Sequence, residues 1–131
     1  MSLKDRLEQV QTKKFEVTNP ELYQSDLVGI ARGETETCIM LDFQFRDGKS
    51  RSLCYTDLRE IIFDASEGLE LYFHSLRFNL LKVNITGRNL VAIHEMLKQH
   101  RVNYIRENAS EVDDFEEKQI YIEGVRVEEV E

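Results

Sequence analysis

Tryptophan is missing from these 131 residues, proline occurs once, and only two cysteines and six glycines are present. Each scarcity excludes something. With Cys38 and Cys54 alone there is no disulfide framework and no Cys-x-x-Cys metal knuckle. The glycines form no phosphate-cradling loop between a strand and a helix, and no serine sits in a Gly-x-Ser-x-Gly elbow. No apolar run approaches 18 residues, so no membrane-spanning helix is expected. The first residues lack the apolar stretch of a secretion signal, which makes the cytoplasm the expected location and reduced thiols the expected state.

What remains is ordinary for a folded soluble chain, with 41% hydrophobic and 32% charged residues. The distribution of charge is not ordinary. The net charge is −8, and residues 107–131 hold ten acids against two bases, so this segment alone carries −8. Residues 1–106 are therefore neutral overall. Inside them, residues 71–106 bear six bases (Arg77, Lys82, Arg88, Lys98, Arg101, Arg106) and one acid, Glu95. A +5 segment thus runs into a −8 segment, which bears on association more than on fold.

The periodicity gives an α+β chain. Alternation over 69–73 and 81–85 puts Leu69, Leu71, Phe73, Leu81, Val83 and Ile85 on one face of two strands. An amphipathic helix follows over 88–100, with Thr86 as its expected cap and Leu90, Ile93, Met96, Leu97 and His100 on one side. Residues 37–46 read as the clearest strand. It ends at Asp47 and Gly48, a type I′ hairpin signal that would pair Phe43 with Ser52 and Leu41 with Cys54. Shorter strands are expected at 27–32, 52–55, 61–63 and 102–105, and a helix and strand near 2–10 and 14–18. Residues 108–117 read as a linker. A β-hairpin turning at Glu123 and Gly124 would then place Ile120, Ile122, Val125 and Val127 on one face. The division is one globular domain over 1–106, then an acidic linker and hairpin over 107–131.

About seven short, mostly antiparallel strands followed by one helix form a curved sheet or partly open barrel. In element order this resembles pleckstrin-homology-like domains over residues 13–101, with the stretch Ser52, Leu53, Cys54, Tyr55, Thr56, Asp57, Leu58, Arg59, Glu60, Ile61 carrying the cadence. That likeness implies phosphoinositide binding by a basic loop. The loop at Asp47, Gly48, Lys49, Ser50, Arg51 offers only two bases, which argues against it.

No constellation of catalytic or metal-ligating type stands out. His94 and His100 lie six residues apart, about 120° around a helix, which does not converge on one ion. Arg88 at a helix start could hold an anion, but every helix needs a cap there. No cofactor is expected. Nucleic acid is argued against by the acidic balance and the neighbouring acidic segment. The expectation is a non-catalytic interaction module whose acidic C-terminal segment docks on the basic face, within one chain or between two copies of a homodimer. Arg77, Lys82, Arg88, Lys98, Arg101, Ile120, Ile122, Val125 and Val127 would carry it. The alternative is a small-molecule or catalytic pocket on the polar sheet face, lined by Tyr55, Tyr72, His74 and Arg51.

Overall fold

A computed structural model describes residues 25–31, 37–77, 79–110 and 112–130. The elements expected near 2–10 and 14–18, and the turn after 32, lie outside them. In chain order the elements are β1 (Val28–Ile30), β2 (Met40–Gln44), β3 (Ser50–Cys54), a 3-10 turn (Tyr55–Asp57), β4 (Leu58–Asp64), β5 (Gly68–His74), β6 (Leu80–Arg88), α1 (Leu90–Lys98), β7 (Val102–Arg106) and β8 (Tyr121–Val130). The fold is mixed α+β: among the described residues there are two four-stranded sheets, ordered β1-β7-β2-β3 and β4-β5-β6-β8, and one helix. The sheets do not close into a barrel.

The core lies between the sheets. Leu41, Phe43, Val102 and Ile105 from the first sheet meet Leu69, Leu71, Phe73, Leu81, Val83 and Ile85 from the second. Phe43 and Phe73 touch edge to face, with centroids 6.2 Å apart. The helix lays Leu90, Ile93, Met96 and Leu97 on this core as its 3.6-residue period requires. Two strands follow the helix, and β7 is threaded between β1 (antiparallel) and β2 (parallel). All other pairings are antiparallel.

Three local expectations are corrected. The β2–β3 hairpin turns through three residues instead of two. The Gly48 N–H donates to the Phe45 carbonyl (3.0 Å) and the Phe45 N–H to the Lys49 carbonyl (2.8 Å). Gly48 has φ +90°, the geometry of a type I turn followed by a bulge. The register consequently moves by one, so that Leu41 faces Leu53, Phe43 faces Arg51 and Met40 faces Cys54. Thr86 does not cap the helix, because it stays in β6; the N-cap is Asn89, held in the left-handed region at φ 60°. The C-terminal hairpin does not form. Tyr121–Val130 is one strand, paired with β6 from Leu80↔Val130 to Arg88↔Tyr121. A bulge between Thr86 and Gly87 absorbs the local kink, so Glu123 and Gly124 need not turn. The strand buries Ile122 and Val125, with Ile120 just before it, and that burial outweighs the turn propensity of a Glu-Gly pair.

Candidate functional site

Opposite charges meet where β6 ends. Arg88 lies over Tyr121 (5.5 Å from its guanidinium carbon to the ring centroid) and reaches into the acidic segment. One guanidinium nitrogen bonds Asp113, and the other donates to Asp113 Oδ1 (3.3 Å) and to the carbonyls of Phe115 (3.3 Å) and Glu116 (3.2 Å). This pairing holds the Asp113 carboxyl below its ordinary range. Asn89, with its backbone already turned, spends its side chain on the same segment and donates to the carbonyls of Glu117 (2.8 Å) and Gln119 (2.7 Å). Glu107 ties the two sheets together. It accepts from the Arg46 N–H (2.9 Å) at the β2–β3 turn and from the Val125 N–H (3.0 Å) on β8. These groups are structural clasps. The terminal guanidinium nitrogens of Arg88 and the side-chain nitrogen of Asn89 are engaged, while the buried Arg88 Nε has no hydrogen-bond partner among the described residues.

The second sheet has an outward face that no described element covers. Its strands pair in rows: Glu60, Tyr72, Lys82 and Glu128 across one, Ile62, Glu70, Asn84 and Arg126 across the next. Tyr72 donates to Glu70 (3.1 Å), and Lys82 stands 3.8 Å from the same carboxylate. Desolvation first, and then Glu70, pushes the Tyr72 phenol up from its usual value. The following row contains Thr86 and Gly124, which leave room beside the taller side chains. A depression of about 550 Å³ results, lined by Glu67, Glu70, Lys82, Asn84, Thr86 and Arg126 among others. It is mixed in charge, shallow and wet.

The residues singled out from sequence are scattered over the fold. Arg77 is exposed in the β5–β6 loop. Lys82 is on the outward face, and Lys98 is paired with Glu95 (3.0 Å). Arg101 donates to the Ala31 carbonyl (3.0 Å). Ile120, Ile122 and Val125 are buried in the core of their own chain, while Val127 packs against it half-buried. The four residues expected to line a pocket are not gathered in one. Tyr55 is buried, donating to the Val102 carbonyl (2.6 Å) and stacked on His100 (4.5 Å). Arg51 sits on β3 of the other sheet, Tyr72 in the middle of β5 and His74 at its end. Among the described residues no three His, Cys, Asp or Glu side chains come close enough to hold a metal ion, and no helix is long and apolar enough to cross a membrane. Among the described residues Cys38 and Cys54 form no disulfide.

Sequence reasoning gave Asn84, Thr86 and Glu107 no place in a site. The grouping of Glu70 with Asn84 follows from the β5–β6 register, so the alternation pattern held that signal once the two strands were paired. No family model, curated protein or solved structure matches this chain.

Proposed function

We propose that the protein is a non-catalytic interaction module that binds another macromolecule through the outward face of its second sheet and associates with itself through its C-terminal strand. The observation that carries the first part is the face itself: four strands wide, covered by no described element, with Tyr72 set among Glu70, Lys82, Asn84 and Arg126. Small-molecule sites are concave and mostly apolar, with a few converging polar groups. A shallow surface of alternating charge around one tyrosine suits a protein partner instead, since aromatics anchor such interfaces and charges set their specificity. The element order from β2 to α1, which resembles that of pleckstrin-homology-like domains, is compatible with a module of this kind, in a cytoplasmic setting.

Tyr72→Ala and Lys82→Glu test it. Both side chains are on the wet face, so the unfolding temperature should change little. Cross-linking followed by identification of the captured protein should show one partner lost from both variants and kept by an Arg51→Glu control on the other sheet. Equal capture by all three variants contradicts the proposal. Stabilisation of the chain by a metabolite, lost on Tyr72→Ala, would favour a ligand pocket at the same place.

A further inference from the structure

We infer that the free edge of β8 pairs with the same edge of a second copy, in an antiparallel register centred on Val127. This deepens the self-associating part of the proposed function. Among the described residues β8 is the outermost strand of its sheet. The Val125 N–H donates to Glu107, so it points away from β6. In an antiparallel ladder the backbone groups alternate in direction, so those of Val127 and Glu129 also point to the open side, while those of Arg126 and Glu128 face β6. Among the described residues, Glu107 and Asn108 bond this edge only at Val125 and Ile122. From Val127 onward the edge has no described backbone partner.

Two antiparallel copies of one strand are related by a two-fold axis normal to the sheet, so residues with side chains on the same face stand opposite one another. Centring the axis on Arg126 sets guanidinium against guanidinium, and centring it on Glu128 sets carboxylate against carboxylate. Both arrangements are unfavourable. Centring on Val127 sets Arg126 opposite the partner's Glu128, and Glu128 opposite the partner's Arg126. It also places Val127 against its own copy, next to the core. Charged edges ordinarily repel strangers. This one repels its own copy in the two neighbouring registers and matches it in one. The central pair exchanges two backbone hydrogen bonds, and each Glu129 N–H can reach the Val125 carbonyl across the axis. The Glu107 carboxylate gives up the Val125 N–H to the partner's Glu129 carbonyl, because the two oxygens would occupy the same place. The result is one continuous sheet of eight strands, with both outward faces on the same side.

Sedimentation of the full chain from about 10 µM to about 1 mM should show a monomer–dimer equilibrium. Arg126→Glu sets like charges opposite each other twice and should weaken the dimer roughly tenfold. The double variant Arg126→Glu, Glu128→Arg should return the dissociation constant to within about threefold of the starting value. Val127→Pro removes an N–H that has no partner among the described residues, so it should abolish the dimer. Because Val127 also packs against the core, the monomer's unfolding temperature should fall modestly, and folding of the variant is checked by circular dichroism. If proline disturbs the fold, the charge variants still decide. A chain that stays monomeric throughout overturns the inference, as does a dimer indifferent to Arg126→Glu. Neither result touches binding at Tyr72, which is read by capture of a different protein.

Discussion

Single residues show how this chain satisfies the polar groups it buries. The Tyr55 hydroxyl donates to a backbone carbonyl inside the core, and burial raises its phenol above the ordinary range, so it stays protonated. Tyr55→Phe should cost about 1–3 kcal/mol in chemical denaturation, because the Val102 carbonyl loses its donor where water cannot replace it. His100 ends the helix in the left-handed region usually given to glycine, at φ 55°. The Arg101 N–H returns to the Met96 carbonyl and the His100 N–H to Leu97, closing a Schellman motif. Stacking on Tyr55 and accepting the Cys38 N–H (2.7 Å) offset the strain. Asp113 gives a pH signature. Its folded-state pKa lies below the unfolded value, chiefly through the Arg88 hydrogen bond, so its contribution is complete above about pH 4 and disappears as acid protonates it. The unfolding temperature of Asp113→Asn should therefore lie below that of the parent at neutral pH, and the gap should close on acidification below about pH 4. A gap independent of pH would separate Asp113 from this linkage.

At the level of elements, much was legible in the sequence. The alternation over 69–73 and 81–85 and the helical stripe of Leu90, Ile93, Met96 and Leu97 read correctly, because each element has one buried face and the period records it. What could not be read was decided by partners remote in sequence. Asp47 and Gly48 suit both two- and three-residue hairpins, and packing Leu41 on Leu53 selects the latter. Glu123 and Gly124 look like a turn until β6 is laid beside them, where Glu123 is the extra residue of a bulge opposite the Thr86–Gly87 step and the chain runs on. Gly87 is specific to its position, because a Cβ there would stand 1.9 Å from the Tyr121 carbonyl oxygen. Gly87→Ala should destabilise the chain by more than about 3 kcal/mol, measured by urea unfolding, because backbone and not a flexible side chain blocks the methyl. A loss under about 1 kcal/mol would mean that β6 and β8 do not meet at this bulge.

At the scale of the whole molecule, the charge polarity visible in the composition has a concrete structural use. The acidic segment is laid across the end of β6 by Arg88 and Asn89, and its apolar residues complete the core. The terminal guanidinium nitrogens of Arg88 and the side-chain nitrogen of Asn89 are thus occupied by their own chain. Among the described residues, no element covers the face around Tyr72 or the outer edge of β8 beyond Val125. Which of the two would be exposed could not be deduced from composition, because it depends on the order of strands in the sheet, and that order comes from contacts between distant residues.

The account stands on β8 being an integral strand with one bonded and one open edge. Residue-resolved amide hydrogen exchange measured at low and high protein concentration tests this most directly. The amides of Arg126 and Glu128 should be protected at every concentration, and those of Val127 and Glu129 only when the chain is concentrated. Rapid exchange throughout 121–130 at all concentrations would contradict it.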